Sequence, residues 1–318
     1  MTKIEQKEVK ISLQGDQLGK RAKWLSQIHA WSLILLPLLG SIVAAVLFIE
    51  RGISNLDLLM LVMFYFLTSM GITIGYHRYF AHSAFQAGPI VKLILGGLGS
   101  MSAQGPVTYW VSNHRRHHRF SDKSGDPHSP YFRGEEELSC LGGLWHAHCG
   151  WIFNPELTNS FLFSNDLLKD PLTAKINRLY FFWVFAGLAL PAIIGGSLSG
   201  TWIGAFTAFI WGGLVRIFIV SHLSYSINSI CHFFGKRPFE TQENSTNNVW
   251  LALPTGGEAW HNNHHAFPSS ANFGLMKGQI DIGYGFIRLL QLFGLANEIK
   301  VPEQERIKAR QLSQSIEN

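Results

Sequence analysis

The chain has 318 residues, 47% of them hydrophobic and only 15% charged, with a formal net charge of +5. A soluble helical domain places charges every few residues, so these proportions lean towards a membrane protein. The basic excess forms no phosphate-tracking stripe interleaved with base-stacking aromatics, which excludes nucleic acid as an expected partner.

In chain order, residues 1–28 are polar and carry six Lys or Arg. They show no short apolar core with a small-residue cleavage site, so no signal peptide is expected. Two stretches of nearly 20 apolar residues follow, near 29–48 and 56–76, each long enough to cross a bilayer. His77 and His82 stand directly above the second. Five residues apart is not a same-face α-helical spacing, so either a loosened helix or rings approaching from different sides is expected there. Residues 89–105 are apolar but short, with Lys92 and several glycines, and read as re-entrant. The glycines Gly96, Gly97 and Gly99 lack the flanks of a nucleotide fold.

His114, His117 and His118 are spaced i, i+3, i+4, so their rings share one helix face. Beyond them, Glu135-Glu136-Glu137 reads as a solvated loop, and Trp145, Trp151 and Trp202 as interfacial aromatics. Two further spans are expected near 179–198 and 202–222, with Arg216 and His222 reaching the interface and His29 placed likewise. A helical stalk then carries Asn228 and His232 on one face. His261, His264 and His265 repeat the i, i+3, i+4 spacing. The apolar residues Ile280, Ile282, Phe286, Ile287, Leu289, Leu290 and Phe293 predict a helix lying on the membrane or against the cap. Cys140, Cys149 and Cys231 show no CxxC pairing and fit a reducing compartment, buried or neutral.

Of the 26 Lys and Arg, 24 fall before the first span, between spans two and three, or after the fourth. The positive-inside rule then places both termini, and every histidine cluster, on the cytoplasmic side. The chain therefore reads as one unit (1–318): a cytosolic segment 1–28, spans in 29–76, cap residues 77–178, spans in 179–222, and cap residues 223–318. The fold class is all-α integral membrane, with four transmembrane helices and a cytosolic helical cap holding a histidine-rich site.

Nine imidazoles exceed what one metal accepts, and no cysteine sits at ligand spacing within a cluster. Two first-row metals with open positions suit them. Iron is the obvious choice for oxygen chemistry, with zinc and manganese left open by ligand type. Asp122, Asp126 and Glu258 are candidates to orient imidazoles through their free N–H groups, with His128 beside them. His146 and His148 are read the same way or as plain structure.

His77-Arg78-Tyr79-Phe80-Ala81-His82, His114-Arg115-Arg116-His117-His118 and His261-Asn262-Asn263-His264-His265 resemble the three histidine boxes of the membrane-bound fatty acid desaturases. The likeness is strongest to the Δ9 (stearoyl-CoA desaturase-like) group. Phe120-Ser121-Asp122, Asp126-Pro127-His128, Asn228-Ser229-Ile230-Cys231-His232 and Gly257-Glu258 extend it over roughly residues 30–295. The resemblance implies two non-haem irons held by His77, His82, His114, His117, His118, His232, His261, His264 and His265, with Asn228 holding a water. It implies O₂-dependent formation of a cis double bond in an acyl chain. It also implies a tunnel that turns at Gln104, Trp110 and Tyr225, the last standing where animal enzymes carry Trp.

An alkyl C–H bond has no acidic proton, so a metal oxidant is needed and the protein's task is positioning. A related hydroxylase or acetylenase is the alternative; a metal sensor or transporter would want polar residues within the spans. Electrons are expected from an external ferredoxin or cytochrome b5 docking on the cap, with Arg115, Arg116, Arg119 and Lys123 meeting that acidic partner or an acyl carrier's phosphates. The acyl group would arrive on CoA, acyl carrier protein or a lipid, with Ser83-Ala84 after His82 weighing against CoA. The short termini suggest a bacterial cytoplasmic or thylakoid membrane.

Overall fold

The computed structural model describes residues 20–154 and 156–311; Lys3, Lys7 and Lys10, counted above towards orientation, lie outside them. Four helices are long and apolar enough to span a bilayer. They lie in α1 (Lys20–Arg51), α2 (Asn55–Ala81), α6 (Tyr180–Ser199) and α7 (Trp202–His232). Between and beyond them lie α3 (Pro89–Met101), α4 (Val107–Phe120), α5 (Cys140–His148), α8 (His261–Ala266) and α9 (Ile282–Leu292). The expected spans are all present; α2 and α7 run past the expected ends and carry histidines into the cap.

The loosened segment beneath the first histidine pair is real. From Gly71 to Ala81, α2 is wound as a π-helix, whose i→i+5 bonding brings residues five apart onto one side. The His82 N–H donates to the His77 carbonyl at 3.1 Å, and the two rings lie 5.1 Å apart. Helix α3 packs directly on this wide turn. A Cβ on Gly71 would stand 2.3 Å from the Gly99 nitrogen, so only glycine permits the approach.

With 13 residues, α3 extends roughly 20 Å and cannot cross a ~30 Å hydrocarbon core. Arg216 secures its end. That side chain is fully buried and does not reach an interface, contrary to expectation. Pro191 lies inside α6 and has no N–H for the Gly187 carbonyl. Arg216 Nη2 donates to that carbonyl at 2.5 Å, Nη1 to Met101 O at 2.6 Å, and Nε to Gly212 O at 3.1 Å. The Gly187 carbonyl, freed by Pro191, and the Met101 carbonyl at the end of α3 explain an arginine among apolar helices.

Other expectations are amended. Trp145 and Trp202 are exposed, but Trp151 turns inward with its ring 5.4 Å from that of His128. Cys149 and Cys231 are buried, whereas Cys140 is exposed. Arg115 forks onto Asp166 at 2.6 and 3.0 Å, and Arg116 is buried against Gly125 O and Glu156. Arg116 is thus buried away from any partner protein, while Arg115 and Asp166 stay partly exposed. The three glutamates do sit in an exposed hairpin, Phe132–Arg133 pairing with Glu136–Glu137. Helix α9 buries Ile287 in the cap and sets Phe286 on Phe66 of α2, while Leu289, Leu292 and Phe293 stay exposed.

Candidate metal centre

Four elements deliver the nine histidines. Helix α2 supplies His77 and His82; α4 supplies His114, His117 and His118; the 3₁₀ end of α7 supplies His232; α8 supplies the rest. Helix α8 has only six residues and would not persist alone. Asn247, from a separate loop, caps it: its Oδ1 accepts the N–H groups of Asn262 and Asn263 at 3.0 and 3.2 Å.

The nitrogens gather into two sets, each with ligand atoms within 4.8 Å of one another: His77, His82, His114, His118 and His264, and His117, His232, His261 and His265. In the first, Nε2 of His77 is 3.0 Å from that of His264, His82 is 2.7 Å from His114, and His264 is 2.8 Å from His118. In the second, His232–His261 and His261–His265 are 3.1 Å apart and His117–His265 is 3.3 Å. Nitrogens bonded at about 2.1 Å to one metal, at right angles, stand roughly 3 Å from each other. The donor sets therefore fit two metals, and an all-imidazole shell suits first-row ions.

Carboxylates fix which nitrogen points inward. Nδ1–H of His77 donates to Glu258, that of His117 to Asp126 at 2.9 Å, and that of His232 to Asp122 Oδ2 at 3.1 Å. Each ring is thereby left with its Nε2 lone pair facing the set. Burial alone would raise the Glu258 carboxyl, but the His77 imidazole and Arg78 guanidinium hold it below the usual range. Asp122 and Asp126 are likewise lowered against burial, by His232 and His117 respectively. Burial, then the other imidazoles, holds His82, His114, His118, His261, His264 and His265 well below 6.5. These rings are neutral at neutral pH and able to ligate.

His128 joins neither set. Its Nδ1 is 3.7 Å from Asp126, and burial beside His117 pushes it down to about 3. His148 pairs with His222 at 3.0 Å, away from both sets, and His29 lines a cavity wall. Sequence reasoning missed Arg78, Asp281 and Glu243. Buried Arg78 bonds Glu258 at 2.7 Å and forks onto Asp281 at 3.0 Å, while Glu243 lies 3.8 Å from His265 Nδ1. Arg78 sits inside the first histidine motif, which was the available signal; Asp281 and Glu243 carry none.

A cavity of about 240 Å³ runs from α1 and the Trp151–Leu157 loop inward to Trp110, His114, Ser224 and Asn228. These same four residues border a second, of about 50 Å³, beneath His77, His117 and His261. Gln104, Trp110 and Tyr225 all line the larger one. The Gln104 carbonyl accepts from Trp110 Nε1 at 3.2 Å and from Ser224 Oγ at 3.1 Å, which fixes this corner.

Membrane-length helices topped by paired, carboxylate-supported histidine sets over a cavity define a class of membrane oxidoreductase. Residues 53–277 match the fatty acid desaturase family. The chain is 44% identical over 293 residues to a hex-5-enoyl-[acyl-carrier protein] acetylenase of Moorena producens (strain JHB), covering 92% of this chain and 91% of that one. It is 36% identical to an icosanoyl-CoA 5-desaturase of Limnanthes douglasii (76% and 65% covered) and 32% to an sn-1 stearoyl-lipid 9-desaturase of Anabaena variabilis (77% and 84%). This chain belongs to the fatty acid desaturase family.

Proposed function

We propose that this chain dehydrogenates an acyl chain, using O₂ and two non-haem irons held by the two histidine sets, with Asn228 acting through a water. The observation that carries this is the convergence of both sets over one cavity. In balance, a –CH₂–CH₂– unit, O₂, two electrons and two protons give –CH=CH– and two waters. Iron, when bound, would supply the one-electron steps of O₂ reduction and the oxidant that no side chain can provide.

The protein's own residues position and shield. Gln104, Trp110, Ser224 and Tyr225 shape the corner through which the chain reaches the site. Glu258, Asp126 and Asp122 hold three imidazoles in one tautomer and orientation. Buried walls keep water from the reacting carbons. The acyl group arrives on acyl carrier protein, CoA or a lipid, and electrons come from ferredoxin or cytochrome b5 on the cytoplasmic face. Relatives named for bonds at positions 5, 7 and 9 fall within the same range of identity, so bond position follows the cavity rather than the family.

Expression with iron, a competent donor and acyl substrates, followed by mass spectrometry, tests the reading. A new O₂-dependent double bond is expected; an unchanged acyl profile overturns it. The 44% relative named as an acetylenase favours a second outcome, repetition of the same reaction on an alkenoyl chain to give an alkyne. Alkenoyl substrates returned as alkynes support it, whereas hydroxylated products would point to the related hydroxylase instead.

A further inference from the structure

We propose that Arg310 is a positioning residue for the ligand helix α8, and that the arm carrying it governs exchange of the metals through a polar basin on the cap. This rests on the two-metal reading above, but on neither the acyl substrate nor the reaction.

Beyond α9 the chain turns back over the histidine-bearing elements. Ala296–Asn297 pairs with Gln86–Ala87, shortly after His82. Lys300 then joins the chain that follows His82 to the chain that follows α8. Its N–H donates to Ala84 O at 2.9 Å, and its carbonyl accepts from Ala271 N at 2.7 Å. Helix α10 (Gln304–Arg310) closes on α8 itself. Buried Ile307 packs with Phe239, Ala266 and Phe267. The Arg310 guanidinium lies over the Phe267 ring, 5.2 Å from its centroid, and Nη1 donates to the Ala266 carbonyl at the end of α8.

Six residues are too few for α8 to hold its own shape. Asn247 fixes its first turn, while Arg310 and Ile307 grip the end that carries His264 and His265. His264 belongs to one set, and His261 and His265 belong to the other. The arm therefore bears on both sets at once, unlike Glu258 or Asp126, which each brace one.

A basin of about 1060 Å³ marks the path for exchange. His82, His118, His265, Glu243 and Arg310 are among its walls, and it shares no lining residue with the two cavities described above. His77, His117, His232, His261 and His264 are buried. Of the four half-buried rings, three line this basin and His114 lines the other cavities. The basin thus reaches both sets from outside, with the arm as one of its sides.

The test loads the full-length protein with Fe(II) under anaerobic conditions and follows transfer to a ferrous chelator, with no acyl substrate or electron donor present. Arg310→Ala and Ile307→Ala should each speed both phases of release about ten-fold or more, and Arg310→Lys should restore part of the loss. Ser269 is exposed at the basin's edge. Ser269→Cys in a Cys140→Ser background, capped with a bulky maleimide, should slow release several-fold while leaving the arm intact. Release unchanged in both arm variants, or faster from one set alone, overturns the positioning role, as does a lower thermal midpoint of metal-free Arg310→Ala without faster release. Release indifferent to the maleimide overturns the basin as the path. Either failure leaves the dehydrogenation reading standing, whereas the expected release rates with an unchanged acyl profile count against that reading alone.

Discussion

Glu258, Asp126 and Asp122 each brace one imidazole, but they act on different sets. Glu258 holds His77 of the five-histidine set; Asp126 and Asp122 hold His117 and His232 of the four-histidine set. Glu258→Gln keeps an acceptor for His77 but removes the charge, and Arg78 retains Asp281 as its partner. We expect metal affinity of the first set to fall roughly 10–100-fold while the second keeps its ion, and Asp126→Asn to do the reverse. Metal per chain after a chelator challenge reads this directly; loss of both ions together from either variant would refute independent sets. Protonation gives a second expectation. Six of the rings are held well below 6.5. Below about pH 6.5 the unfolded chain takes up protons that the folded chain refuses, so stability falls as the solution is acidified. The thermal midpoint of metal-free protein should therefore drop between about pH 7.5 and about 5.5; a flat profile would contradict neutral, buried rings.

At the scale of elements, two departures from regular helix matter most. The π-turns of α2 were half legible: the five-residue histidine interval allowed a widened helix or rings approaching from different sides, and the π-helix is the one found. The i, i+3, i+4 clusters were legible for the same geometric reason. Arg216 was not: its partner carbonyl is created by Pro191 on another helix, and no local pattern joins residues 25 positions apart. Removing the side chain in Arg216→Met strands the buried Gly187 and Met101 carbonyls, a loss of about 2–4 kcal/mol if each costs roughly 1–2. Pro191→Ala restores an N–H for the Gly187 carbonyl within α6. The double variant should thus recover about 1 kcal/mol relative to Arg216→Met alone. Thermal midpoints in detergent measure the cycle, and strict additivity would show that Arg216 does not serve the proline-freed carbonyl.

For the whole molecule, apolar runs made the spans visible, while the wrapping of the cap was hidden, because Asn247, Asp281 and Glu243 support the histidine-bearing segments, through Asn262, Arg78 and His265 respectively, from loops without periodicity. Orientation is the remaining global property, and the chain carries a probe for it. Cys140 is exposed at the start of α5, and the other cysteines are buried. Ser199 is exposed at the far end of α6. The segment from 140 to 199 contains one helix of membrane-spanning length, Tyr180–Ser199. A single crossing puts these two positions on opposite faces. In intact cells, a membrane-impermeant maleimide should label Ser199→Cys in a Cys140→Ser background, but label Cys140 only after permeabilisation. Labelling of both from one side would require an even number of crossings between them. That result would remove α6 from the bilayer and, with it, the apolar frame on which the histidine sets and their cavity are held.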